Sequence, residues 1–216
     1  MSVHKLPVVP PCTVTFYLPG QDCLTSQPGD MVLIRNLTST GFAKIPGALI
    51  RFGEWIRKST RPYDWCDHSM TVVVGGTSPM VVQETDKGCV LTPLIGPPST
   101  GSFSDDLYCV ISPVTATQAQ RDAAVFFANW TLGEPYGYWS LPVDAFDDVT
   151  GLKIALSTSL RMVCSANAAR SAERWGLIPD RAPEAVRPGN LASYFNVTTK
   201  DTMQMYKQYL QQRSNK

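Results

Sequence analysis

Histidine is almost missing from this chain of 216 residues, which has only His4 and His68. A zinc site therefore has little to build on, and the six cysteines do not restore it. Cys12, Cys23, Cys66, Cys89, Cys109 and Cys164 are scattered, with no C-x-x-C spacing among them. Mostly reduced thiols are expected, with a Cys12–Cys23 disulfide as the one pairing worth testing. Long apolar runs are also lacking: nothing approaches the roughly 18 residues that would read as a membrane span. Met1 to Pro11 carries one lysine and prolines at 7, 10 and 11 in place of an apolar core, so a signal peptide is not expected either. Without a secretory context the sequons at Asn36, Asn129 and Asn196 carry no meaning. Excess charge of one sign is absent as well. Nineteen Lys and Arg against 18 Asp and Glu leave a net charge of +1, which gives a nucleic acid or other polyanion no footing.

What remains is an ordinary globular composition, 44% hydrophobic and 17% charged, with no internal repeat and no low-complexity tract. The length suits one domain with a sizeable core, spanning 1–216 with an extended N-terminal segment (1–28) and a C-terminal helical tail (199–216). Thr13 to Leu18 alternates and ends at Pro19-Gly20, which predicts an edge strand. Gln27-Pro28-Gly29-Asp30 is a turn, and Met31 to Arg35 a buried strand. Ile45 to Lys58 has helical spacing. Ser69 to Val74 and Met80 to Thr85 predict a hairpin across a Gly- and Pro-rich loop. Val90-Leu91 and Leu107 to Ser112 are two further strands, and the loop Ile95 to Ser104 between them is a lid or a plain connection. Ala119, Ala123, Phe126, Phe127 and Trp130 share a helical face from about Thr117 to before Gly133. Leu152 to Leu160 reads as helical, Leu191 to Thr198 as strand or loop, and Asp201 to Gln212 as a polar helix.

The stretch Met162 to Gly176 predicts a short central helix opening at or just before Cys164. Ala168, Ala172 and Trp175 lie on one face, Gly176 is the stop, and the many small residues allow close packing. A thiol at a helix N-terminus meets partial positive charge and free N–H groups, which lower its pKa and offer donors to an oxyanion. Cys164 is thus the candidate nucleophile, although a buried cysteine also serves as a small hydrophobe. His68 opens a strand, and a carboxylate follows on the next one at Glu84. Thiol, imidazole and carboxylate are the parts of a nucleophile, base and orienter. Asp64, Asp67 and Gln83 compete with Glu84 for the third place; Glu84 is preferred because it lies within the sheet. His68 itself reads equally as a strand-end residue with an ordinary hydrogen bond.

These residues resemble a known family, the circularly permuted papain-like amidases of the NlpC-type cysteine hydrolases. Five blocks between Gly29 and Gly176 carry the likeness: Gly29-Asp30-Met31-Val32-Leu33, Asp67-His68-Ser69-Met70-Thr71-Val72-Val73, Val81-Val82-Gln83-Glu84-Thr85, Leu132-Gly133-Glu134-Pro135-Tyr136-Gly137 and Val163-Cys164-Ser165. The resemblance implies an α+β papain-like fold, with a small antiparallel sheet packed against the nucleophile helix and histidine preceding cysteine in the chain. It implies Cys164 as nucleophile, His68 as base and Glu84 as orienter, with no cofactor and no metal. The reaction implied is acyl transfer to water through a thioester, on a peptidoglycan peptide or another peptide or isopeptide amide. Lipid esters and amides are the other substrates the family suggests. Trp65, Tyr136 and Trp139 are the expected substrate-binding residues. A lipid-directed acyltransferase or thioesterase, and a non-catalytic module that keeps the fold, are the alternatives.

Overall fold

A computed structural model describes residues 6–21, 23–35, 37, 61–85, 87–96, 106–135 and 164–214. The expected helices over 45–58 and 152–160, most of the loop 95–104, and Tyr136 and Trp139 lie outside the described residues. Six strands form one antiparallel sheet: β1 (Cys12–Tyr17), β2 (Met31–Arg35), β3 (His68–Val74), β4 (Met80–Thr85), β5 (Gly88–Pro93) and β6 (Leu107–Pro113). Their order across the sheet is β1-β6-β2-β3-β4-β5, so β1 is an edge strand as expected. Four helices follow among the described residues: α1 (Gln118–Trp130), α2 (Cys164–Glu173), α3 (Pro188–Tyr194) and α4 (Thr199–Ser214). The architecture is α+β. Among the described residues no helix is long and apolar enough to cross a membrane.

Alternation along the strands divides the core in two. Met31 and Leu33 of β2 and Cys109 and Ile111 of β6 face one side, where Ala168, Ala169, Ala172 and Trp175 cover them. Val32, Ile34, Met70, Val72, Val81, Tyr108 and Val110 face the other side, packed with Cys23 and Leu94. Cys12 packs on the first side and Cys23 lies within the second, so no disulfide joins them and all six thiols are free.

The turn before β2 ties this sheet to the helices. Gly29 has φ +85°, its N–H donates to the Val72 carbonyl at 2.8 Å, and its own carbonyl accepts from Trp175 Nε1 at 3.0 Å. A side chain there would press on the Arg121 backbone, so glycine serves both the conformation and the close approach. Asp30 then accepts from Arg121 Nη1 at 2.6 Å, from Ser112 Oγ at 2.5 Å and from the Gln27 N–H at 2.8 Å.

That ion pair rotates α1 away from the expected face. Thr117 and Gln120 form the capping box that starts the helix, but the buried residues are Arg121, Ala124, Phe127 and Ala128. Phe126 and Trp130 are 73% and 66% exposed. Arg121 must point inward to reach Asp30, and the small Ala124 and Ala128 sit inside. A second correction concerns 191–198: its first half belongs to the helix α3, which has Pro188 in its first turn and Asn190 Oδ1 accepting from the Arg187 N–H at 3.1 Å, and its second half is turn and loop. The Leu132-Gly133-Glu134 turn docks on β5, with the Cys89 N–H donating to the Glu134 carbonyl at 2.8 Å and the Gly133 N–H to the Cys89 carbonyl at 2.9 Å. Gly88 allows this, since a Cβ there would collide with Glu134.

Candidate active site

α2 packs on β3 and β4, and all of its residues except Arg170 and Glu173 are buried. Its small side chains permit this central position, as the sequence suggests. Ser165 Oγ donates to the Val186 carbonyl at 2.6 Å and fixes the first turn. Cys164 is the first described residue of α2, 4% exposed, and its thiol is near enough to His68 and Ser69 for both to lower its pKa. Cys164 and His68 are therefore brought together across 96 residues of chain by the packing of α2 on the start of β3.

The third position differs from expectation. His68 Nε2 is hydrogen-bonded to Gln83 Oε1 at 2.8 Å, and Gln83 Nε2 donates to Thr92 Oγ1 at 2.8 Å. Gln83, not Glu84, touches the imidazole. The reason is strand alternation: Gln83 shares a face with Val81, as His68 does with Met70, and Val81 and Met70 belong to one cluster. Glu84 shares the opposite face with Val82. There its Oε1 accepts from Asn167 Nδ2 at 3.1 Å, one helical turn beyond Cys164. Asp67 adds negative charge near His68 without displacing Gln83, and Asp64 instead accepts from Thr199 Oγ1 at 2.6 Å.

With Nε2 committed to Gln83, Nδ1 is the ring nitrogen left for the thiol. The two pKa values move in opposite directions. Burial alone would raise the Cys164 thiol, but the His68 charge and hydrogen bond, then Ser69, outweigh it and bring the thiol below its ordinary value. Burial alone would lower the His68 imidazole, yet Cys164, Gln83 and Asp67 outweigh it and carry it up to about 9. Both shifts favour the thiolate–imidazolium form of the pair. Other cysteines behave as buried hydrophobes: desolvation pushes Cys12 up to about 11 and Cys89 up to about 12, and raises Cys23 and Cys109 as well. Glu84 is raised by its burial, eased by Asn167 and Cys89, and tends toward the neutral acid.

Trp65 is a correction. It is fully buried, its indole N–H donates to the Val197 carbonyl at 3.0 Å, and its ring packs 6.3 Å from Phe16. It belongs to the core and lines no substrate surface. Among the described residues no group of three His, Cys, Asp or Glu is placed to hold a metal.

Compared with protein-family models and with curated proteins, the chain matches none. What the site does is therefore read from its own residues.

Proposed function

We propose that this protein is a cysteine hydrolase with a papain-like, permuted NlpC-type fold, cleaving an amide through a Cys164 thioester. One observation carries the reading: an N-terminal helix thiol paired with a histidine whose far ring nitrogen is held by a buried side chain. The thiolate attacks the substrate carbonyl carbon, and the Cys164 N–H at the helix terminus is a donor for the oxygen as it gains charge. His68 gives its Nδ1 proton to the leaving amine as the C–N bond breaks. Neutral His68 then takes a proton from water, hydroxide adds to the thioester, and the acid leaves with Cys164 restored as thiolate beside imidazolium. Gln83 keeps the ring in plane and in one tautomer throughout.

The substrate proposed is a cell-wall peptide amide, or another peptide or isopeptide bond, on the resemblance alone. A lipid cleft lined by Trp65 loses its support with that residue in the core. The test is alkylation by iodoacetamide at about pH 6 with mass mapping of the label. Cys164 is expected to react fast and alone among the six cysteines, because it alone is a thiolate there, and His68→Ala should slow it. Slow, even labelling of several cysteines would mean a non-catalytic module.

A further inference from the structure

Thr92 lies on the outermost strand of the sheet, two strands away from His68, and a line of hydrogen bonds joins it to that ring. β5 follows β4 at the sheet edge, with Thr92 opposite Val81 and Val90 opposite Gln83. Paired residues share a face and alternate residues return to it, so Gln83 and Thr92 stand on the Val81 side with His68. The neighbours there are apolar: Met70, Val72, Val81 and Leu94 are all buried on that side. Among them His68 Nε2 meets Gln83 Oε1 at 2.8 Å, and Gln83 Nε2 donates to Thr92 Oγ1 at 2.8 Å. Gln83 is 6% exposed, whereas Thr92 is half-buried, which lets the hydroxyl turn its own proton to water and a lone pair to the amide.

An amide has two unlike ends, and the histidine needs one of them. As a base, His68 must keep a proton on Nε2 in both working states: the imidazolium, and the neutral ring whose Nδ1 lone pair takes the next proton. Only the carbonyl oxygen of Gln83 fits an Nε2–H. Turned over, the amide would offer N–H to Nε2 and favour the tautomer protonated on Nδ1, which has no lone pair there to take a proton. The far end of Gln83 needs an acceptor of its own, because a buried N–H without one costs more than a typical hydrogen bond returns. We propose that Thr92 is the positioning residue that supplies this acceptor: its hydroxyl holds Gln83 with the carbonyl oxygen on His68, and so keeps the base in the tautomer that can take a proton at Nδ1. This rests on His68 being the base for Cys164. Valine has the shape of threonine and suits a strand equally well, so packing alone does not call for a hydroxyl at this position.

The experiment is a double-mutant cycle on Gln83→Ala and Thr92→Val in the full chain, with Thr92→Ser beside them, read by the rate of Cys164 alkylation by iodoacetamide from about pH 4 to 10. The charged and titratable groups that act on His68, Cys164 on α2, Asp67 next to it in the chain and Glu84 on β4, are the same in every variant. Thr92→Val loosens the partner of the imidazolium, so less thiolate forms beside it. The midpoint should rise by about half a pH unit and the rate below it should fall about threefold, the size of one neutral hydrogen bond. At about pH 10 the imidazole is neutral in every variant and the rates should converge, which a loosened fold would not produce. Thr92→Ser keeps the hydroxyl and should follow wild type. Because Thr92 acts through Gln83, the double variant should match Gln83→Ala alone; effects that add would make Thr92 a structural residue and overturn the proposal. The ring gives a second reading, since histidine labelled with nitrogen-15 marks only His4 and His68. At about pH 10 neutral His68 should carry its proton on Nε2 in wild type and Thr92→Ser, and on a mixture of the two nitrogens in Thr92→Val. If melting shows Thr92→Val to be unstable, Thr92→Ala is read in its place. A Thr92→Val profile and spectrum that superimpose on an activated wild type overturn the role of Thr92 and spare the nucleophile. A wild-type midpoint near the ordinary thiol value of about 8.5 overturns both.

Discussion

Asp30 and Cys164 are both acidic groups withdrawn from water, one beside Arg121 and one beside His68, and their surroundings differ in kind. Around Asp30 every partner is committed: Arg121 also donates to the Pro28 and Pro113 carbonyls at 3.2 and 2.8 Å, while Ser112 and the Gln27 backbone fill the remaining carboxylate sites. The guanidinium cannot give up its proton in a protein, so this cluster ties the turn, β6 and α1 and does nothing else. Around Cys164 the cation is an imidazole that can give up its proton, and neighbouring polar atoms, Ser69 Oγ and Glu84 Oε2, are left unpaired. Saturated charge makes a fastener; unsaturated, transferable charge makes a site that can do chemistry.

Cys164→Ser should break the comparison most strongly. Serine has no comparable tendency to ionise beside His68, so hydrolysis of a peptide amide substrate should fall by about four orders of magnitude or more, with melting nearly unchanged. A fully active serine variant would refute the mechanism. Arg121→Ala is the converse experiment, large in stability and silent in chemistry. Burial already pushes the Asp30 carboxyl up despite Ser112 and Arg121; removing the cation strands it. About 3 to 5 kcal/mol should be lost, a drop on the order of 10 °C in Tm at this chain length. The alkylation profile of the folded protein should be unchanged. If Tm holds and the profile shifts, the two clusters are not separate.

The contrast also marks where the sequence was informative. Short apolar runs bounded by glycine and proline locate all six strands, and two histidines in the whole chain leave His68 without a rival. Small residues around Cys164 foretell a buried helix, because only such a helix tolerates them on nearly every face. The failures share one cause: a long-range partner decides orientation. Phe126 and Trp130 fit an apolar stripe, but Arg121 turns α1 toward Asp30, 91 residues earlier. Trp65 has the composition of a binding surface, yet the Val197 carbonyl satisfies its N–H inside the core. Gln83 and Glu84 are adjacent on one strand, and a single residue reverses the face. Choosing between them requires knowing that β4 presents Val81 beside Met70, which no local pattern states.

Gln83→Ala sharpens that choice at intermediate size. The ring loses its Nε2 partner and can rotate, so turnover should fall on the order of tens-fold, short of the 10²–10⁴ of a general base itself. The pH profile should move too. His68 is raised, so the thiolate–imidazolium pair persists up to about pH 9 and disappears as the imidazolium deprotonates. Gln83 contributes to that rise, and its removal should bring the alkaline limb of kcat/KM to lower pH. An unmoved limb with full turnover would remove Gln83 from the site.

Glu84→Gln should have the smallest effect. Glu84 Oε1 already accepts from Asn167, and burial favours the neutral acid, so an amide reproduces both the hydrogen bond and the charge state. Turnover should stay within about threefold of wild type, well inside the range that separates it from Gln83→Ala. Stability gives an independent reading. A carboxyl whose folded pKa is raised adds stability that is complete below its unfolded value, near 4.5, and is lost as pH rises through the folded one. In the Gln variant that loss is gone, so its Tm should decline less than wild type between about pH 4.5 and neutrality. If turnover instead falls a hundredfold or more with the fold intact, the carboxylate orients His68 after all, and Gln83 is only its neighbour.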